Sequence, residues 1–353
     1  MTRHWWALAF AISAAFAANP PASHTVSTGD QPMAVVVNES THKAYVVNNK
    51  SATVSVIDGR TRAVVATVPT GSGPEGIAVN PVTNRIYVAN ANDSSVTVID
   101  GSTDTVAATV RAGSYCQALA VNTRTNQIYV ANNFGHSVTV IDGATHQTAT
   151  FRVGQGPRAI AVNTAANKVY TANYGSKDAT QIDGGTNTTT RVPTGRHPWT
   201  LAVDSAANKT YVVNEDDAAI TIVEGSGATR NVAVGETPFA VAVDSTRNLA
   251  YVLTYEGKTM VTIDGASGRI LRTTPLSARP SAIAVNAATN QIYVASQSMG
   301  VVTIFDGKSG KPSATVKTGT IPYAMAIDTT ANQVYVANFS SNDATVIYVP
   351  TSN

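Results

Sequence analysis

The chain is poor in the residues from which most cofactor and catalytic centres are built. It has one cysteine in 353 residues, which excludes a disulfide framework and any thiolate cluster for a metal. Charged residues make up 13% of it, 24 basic against 22 acidic, a net charge of +2, so there is no clustered basic footprint for nucleic acid. The histidines are few and scattered, whereas a metal site needs convergent ligands. There is no glycine-rich phosphate loop, no Gly-x-Ser-x-Gly elbow, and no apolar run long enough to span a bilayer comfortably. Helical periodicity is missing as well, so almost no helix is predicted. A hydrophobic fraction of 43% is nonetheless too high for a disordered chain.

The start of the chain carries a recognisable pattern. Arg3 and His4 precede an apolar run from Trp5 to Phe16, which closes on Ala15-Phe16-Ala17. A basic start, a short apolar stretch and a small-x-small site predict a secretory signal over residues 1–17. The mature chain is then a single domain over 18–353 in a periplasmic or extracellular setting.

From residue 31 onward the sequence repeats. Tyr45, Tyr87, Tyr129, Tyr170, Tyr211, Tyr251, Tyr293 and Tyr335 are spaced by 42, 42, 41, 41, 40, 42 and 42. Thirteen residues before each stands a second landmark: Pro32, Pro74, Cys116, Pro157, Pro198, Pro238, Pro280 or Pro322. Each unit holds four short runs rich in Val, Ile, Thr and Tyr, divided by Asn, Gly, Pro, Ser and Asp, the pattern of strands joined by tight turns. Runs such as Val96-Thr97-Val98-Ile99 are apolar on both faces, so each four-stranded sheet needs a neighbour on both sides. Radial stacking supplies them, and the predicted fold is an all-β propeller of eight blades, with seven the alternative. The last unit lacks a fourth strand, while His24-Thr25-Val26-Ser27-Thr28-Gly29 matches the fourth-strand pattern of Ala314–Gly319. The N-terminal strand is therefore expected to complete the last blade and close the ring. The Asp-Gly pairs after the third strand, such as Asp58-Gly59 and Asp100-Gly101, are read as turns whose glycine takes positive φ.

Tyr87-Val88-Ala89-Asn90, Tyr129-Val130-Ala131-Asn132 and Tyr335-Val336-Ala337-Asn338, each introducing a third strand such as Val-Thr-Val-Ile-Asp-Gly, resemble the YVTN-family β-propeller repeat, which includes YncE-like exported proteins. The resemblance spans essentially the whole chain after residue 17. It implies a propeller in an envelope or extracellular setting and transfers no catalytic residues.

Positions that repeat uniformly serve the common fold, and varied ones are free for function. Two varied rings fall on one face. The residue after the Pro landmark reads Met33, Glu75, Gln117, Arg158, Trp199, Phe239, Ser281, Tyr323, and the residue after the second strand reads Asn49, Ala91, Asn133, Tyr174, Glu215, Tyr255, Gln297, Phe339. The first ring is expected to surround the channel mouth. Aromatics with Glu75, Gln117, Arg158 and Glu215 among them predict a binding site for a protein, peptide or small molecule from the envelope or the exterior, on a monomer. The alternative is a lyase or lactone hydrolase using Glu75, His197 and Glu215, with Arg158 orienting an anion. Single-stranded nucleic acid has its aromatics here but not its basic groove. A Cys116–His136 nucleophile and a Ca²⁺ site at Glu215-Asp216-Asp217 with Asp93 and Asp343 are weaker patterns. No other cofactor is implied. Loops of constant length leave no room for a lid.

Overall fold

The computed structural model describes residues 20–350; the leader assigned to residues 1–17 lies outside them. Eight four-stranded antiparallel sheets follow one another around a ring. The second blade shows the pattern: Pro74–Asn80, Arg85–Asn90, Ser95–Asp100 and Thr105–Arg111 pair in order. The first strands of adjacent blades touch one another and so lie innermost. The fourth strands lie outermost and bury a single residue in some blades, such as Val110 or Val316. Closure occurs as expected. Ala22–Ser27 pairs antiparallel with Asp343–Tyr348, placing Val26 opposite Ala344 and leaving no blade incomplete. Among the described residues the only helical segment is the single 3₁₀ turn Glu215–Asp217.

Second strands are buried almost end to end because both faces meet a neighbouring blade. All eight landmark tyrosines are at most 2% exposed. The asparagine that follows at the strand end pins the blade internally. Asn132 Nδ2 donates to Ser137 Oγ (3.0 Å) and Thr139 Oγ1 (3.0 Å), and Asn90 does the same with Ser95 and Thr97. A glycine from the preceding connection packs against it: a Cβ on Gly113 would come within 2.5 Å of the Asn132 side chain. In blade 6 the asparagine is Thr254, and Gly235 then has 3.7 Å of clearance.

A second set of asparagines joins neighbouring blades on the opposite face. Asn84, Asn126, Asn167, Asn208, Asn248, Asn290 and Asn332 turn the chain at φ between +50° and +55°, a region Asn tolerates better than most residues. In five of them the carboxamide oxygen accepts from the previous blade, as in Asn38 Nδ2 to Asn84 Oδ1 (2.7 Å) and Asn80 Nδ2 to Asn126 Oδ1 (2.8 Å). Before Asn248 and Asn290 the donor is replaced by Asp204 and Asp244, and Asn248 Oδ1 has no partner. At the closing seam the polarity reverses. Asp328 Oδ2 accepts where an amide would donate, and His42 Nδ1 lies 2.8 Å away to donate.

The Asp-Gly turns correct the sequence reading. Gly59, Gly101, Gly143, Gly184, Gly265 and Gly307 do not take positive φ. Glycine is needed there for space: a Cβ on Gly101 would lie 2.3 Å from Asn84 Oδ1. The left-handed residue comes four positions after the aspartate, at Arg62, Asp104, His146, Asn187, Gly268 or Gly310.

Candidate functional site

Every first strand carries an irregularity at the same place. In blade 2, Pro74 pairs with Asn90 and Gly76 with Ala89, leaving Glu75 as an extra residue, and all eight blades repeat this between the landmark and the position two residues on. A β-bulge bends its strand and re-aims the extra side chain. The first varied ring is thus the ring of bulge residues. The residue before the landmark takes positive φ in seven blades: Gln31, Gly73, Tyr115, Gly156, His197, Thr237 and Ile321. Its carbonyl accepts the amide of the second ring, as in His197 O from Glu215 N (3.1 Å) and Thr237 O from Tyr255 N (2.8 Å). The two varied rings are therefore stitched together by main-chain bonds. Thr237 and Ile321 are β-branched at φ of +52° and +57°, a conformation costly for such residues.

These rings enclose a cavity of about 590 Å³ at the mouth of the channel. All eight bulge residues line it: Met33, Glu75, Gln117, Arg158, Trp199, Phe239, Ser281 and Tyr323. From the second ring come Glu215, Tyr255 and Gln297. Two predicted residues lie beside the cavity rather than in its wall. Tyr174 stacks on His197 (4.4 Å between centroids) and meets Trp199 edge-on (6.0 Å), while Phe339 packs against Tyr323 (5.7 Å). Tyr174 borders an adjoining depression with Arg196, Glu215, Asp216, Glu236 and Glu256.

Arg158 dominates the electrostatics. Its guanidinium carbon lies 3.4 Å from the centre of the Trp199 ring. Its side chain makes no ion pair among the described residues. Burial lowers its pKa, opposed by Tyr323, Glu215 and Glu75. Glu215 moves the other way: burial and then Asp216 raise its pKa, against Arg158 and His197. Glu75 Oε1 accepts from Tyr115 Oη (2.8 Å), and Tyr115 stacks on the exposed Phe134 at 4.4 Å. Gln117 Nε2 donates to Arg158 O (3.0 Å) and Ser281 Oγ to Pro322 O (2.6 Å), each tying one bulge to the next. The roles of Tyr115 and Phe134 were missed from the sequence. The one available signal was an aromatic directly before the landmark.

The three acid/base candidates are not brought together. Glu75 and Glu215 line the cavity, whereas His197 stands on its rim with Nδ1 2.5 Å from Asp216 Oδ2. Cys116 is fully buried, its thiol donating to Asn90 O (3.4 Å) and Ser95 O (3.3 Å), and burial pushes its pKa up to about 11. It offers no thiolate near neutral pH. His136 Nδ1 instead faces Asn133 O and Gly156 N. Of the acidic residues read as a Ca²⁺ site, Asp217 holds the Arg196 side chain and main-chain amide, both at 2.6 Å, Asp93 accepts from Ser72 N (2.6 Å) and Asp343 from Asn338 Nδ2 (2.6 Å), while Glu215 faces the cavity.

No protein-family model matches the chain, and no curated protein does. Among solved structures the chain is similar to the hydrazine synthase of Kuenenia stuttgartiensis, at 17% identity over 92% of this chain and 97% of that one, with a TM-score of 0.65. At that identity the likeness is one of fold.

Proposed function

We propose that this is an exported, non-catalytic propeller of the YVTN type that binds a small molecule or a peptide terminus carrying a carboxylate at the channel mouth. The observation that carries the reading is Arg158, its guanidinium carbon 3.4 Å from the centre of the Trp199 ring in the wall of an aromatic cavity, with its donors free of any protein carboxylate. Arginine presents a planar fork of donors matched to a carboxylate, and the cation–π contact with the ring restricts where that fork can sit. Phe239, Tyr255 and Tyr323 supply apolar surface for the body of the ligand. The reading needs no metal or cofactor. Export rests on the pattern of residues 1–17, and family membership on the repeated Tyr-Val-Ala-Asn and its neighbours.

Trp199 is the only tryptophan beyond Trp5 and Trp6, so in a chain beginning at Ala18 its emission reports the site alone. N-acetylphenylalanine, with a ring beside a carboxylate, is expected to change that emission saturably. Its amide should bind at least tenfold more weakly, and Arg158→Gln should abolish the difference. Equal response to acid and amide in the unmodified protein would sink the proposal.

A second reading is favoured by Glu215, whose raised pKa and place in the wall suit a general acid. A lyase or lactone hydrolase of this kind would lose its turnover on Glu215→Gln while still binding substrate. Lactone or polyuronate turnover unchanged by Glu75→Gln and Glu215→Gln would dispose of it.

A further inference from the structure

On the face opposite the mouth, four of the eight seams are joined by a strap. The first residue of the second strand reaches the carbonyl of the glycine in the next blade's Asp-Gly or Glu-Gly turn. Lys43 Nζ meets Gly101 O (3.2 Å), Lys168 Nζ meets Gly225 O (3.3 Å), Lys209 Nζ meets Gly265 O (2.5 Å) and Gln333 Nε2 meets Gly59 O (3.0 Å). The strap position reads Lys43, Arg85, Gln127, Lys168, Lys209, Leu249, Gln291 and Gln333. Arg85 pairs with Asp100 instead, Gln127 and Gln291 accept from the hydroxyls of Tyr129 and Tyr293, and those three seams lack the bond as well. Leu249 alone is apolar and has no atom to donate. Between blades 6 and 7, where its strap would run, a cavity of about 350 Å³ opens, lined by Leu249, Leu271, Thr262, Arg272, Lys308 and Gly307 among others.

The adjacent seam provides an internal comparison. Between blades 5 and 6, Arg230 donates to Ser267 O and the Lys209 strap is in place. Between blades 6 and 7, Arg272 donates to Lys308 O (2.8 Å) in the equivalent manner, but the strap is gone. Neither Arg272 nor Lys308 forms an ion pair among the described residues. The nearby Asp306 and Asp264 carboxylates are taken up by Ser309 and Ser267 in their own turns, and Arg247 is paired with Asp244. Thr262 is 4% exposed, and its buried Oγ1 has no hydrogen-bond partner in the protein. Leu271, by contrast, is 59% exposed and offers an apolar wall to solvent.

We infer that this seam is a second binding site, independent of the mouth, for a medium-chain carboxylate. The alkyl chain lies along Leu249 and Leu271, and the carboxylate is held by Arg272 and Lys308. Burying a hydrocarbon chain supplies binding free energy in proportion to its area, while the two cations select the charged head group. A cavity of this volume is within the range of small-molecule sites.

The test uses octanoate as the probe, measured by titration calorimetry on the folded protein, with octanamide and acetate as comparisons. Saturable octanoate binding is expected, with octanamide at least tenfold weaker and acetate showing none. Leu249→Lys restores the residue type of the strapped blades 1, 4 and 5, and Leu249→Gln that of the strapped blade 8. Both place a polar strap through the cavity and should remove octanoate binding, while circular dichroism reports an unchanged fold. Arg272→Gln should weaken binding at least tenfold. Absence of saturable octanoate binding, binding that persists in both strapped variants, or octanamide binding as tightly as octanoate would each overturn the assignment.

Discussion

Replacing Asn132 by alanine tests whether the repeated asparagine holds the propeller together. Its side chain donates to Ser137 and Thr139 at 3.0 Å each and accepts from Gly113 N at 3.0 Å, all in a buried setting. Each such bond is worth about 1 kcal/mol net, and the small void left behind adds to the loss, so Asn132→Ala should cost about 3–4 kcal/mol. With a urea m-value on the order of 3 kcal/mol/M for a domain of this size, the unfolding midpoint should fall by about 1 M. Asn132→Thr, which imitates Thr254 of blade 6, retains one hydroxyl and should lose roughly half as much. The exposed Thr148→Ala on an outer strand should change little. Trp199 fluorescence is the informative probe because it sits in blade 5, two blades from the mutation. In a closed ring each sheet needs both neighbours, so the transition at Trp199 should shift with the one seen by circular dichroism. A midpoint for Asn132→Ala no lower than that of Thr148→Ala would refute the reasoning, as would a Trp199 transition that stays where it was.

Other consequences of the architecture can be measured in the same way. Val26→Asp places a charge in the seam where the N-terminal strand meets Ala344 and Val346, and should cost at least 3 kcal/mol and expose the Asp343–Tyr348 edge, read as oligomers in size-exclusion chromatography. Asp58, Asp100, Asp142, Asp183, Asp264 and Asp306 are held below the ordinary carboxylate range chiefly by hydroxyl and amide donors of their own turns, Asp100 at about 2. Asp328 is lowered as well: burial opposes the shift, but Thr330 and His42 outweigh it. Folded-state values below the unfolded ones mean this stability is complete above about pH 4 and lost as pH falls toward 2. A thermal midpoint unchanged between pH 5 and 2.5 would contradict this. At Asn84, where φ is +51°, alanine should destabilise more than glycine by about 1 kcal/mol, since both lose the bond from Asn38 and only alanine meets the left-handed strain; equal urea midpoints would show the strain to be absent.

The sequence disclosed the features that recur at a fixed period. Strand order, blade number and the use of His24–Gly29 to complete the last blade followed from the phase kept by tyrosine and proline. The bulge ring was legible as a set of positions, since the residue after Pro74 or Pro157 varies while its neighbours do not. Its geometry was not, because a bulge is a property of the pairing between Pro74–Asn80 and Arg85–Asn90 and leaves no mark on either strand alone. The glycine of Asp100-Gly101 was misread for a similar reason: the atom that excludes a Cβ belongs to Asn84, seventeen residues earlier. Placing Tyr174 and Phe339 beside the cavity, and His197 against Asp216, depended on side-chain directions that spacing does not encode.

Departures from the repeat divide into two kinds. Some departures are matched by a partner that also departs. His42 replaces the turn asparagine where Asp328 replaces the amide that would have faced it, so donor and acceptor exchange places and the seam stays bonded. Thr254 and Gly235 depart together, the glycine relaxing to φ of +106° once the larger side chain is absent. In blade 7, Ser296 replaces the asparagine and Ser277 the glycine that would have packed on it. Such pairs preserve the fold and need no ligand to explain them. Arg158 and Leu249 are departures of the other kind. No protein carboxylate answers the guanidinium on Trp199, and the glycine carbonyl of blade 7 is unchanged while the strap that would reach it has become a leucine. Asp204 shows that an unanswered departure is not by itself a site, since it stands where the repeat has an amide donor to Asn248 and leaves both Asp204 Oδ2 and Asn248 Oδ1 without a partner. Arg158 and the Leu249 seam differ in that each presents cations beside apolar surface, one on each face. A carboxylate ligand needs a cation for its head group and apolar surface for its body, which is why the mouth and the seam between blades 6 and 7 are the places to look for ligands.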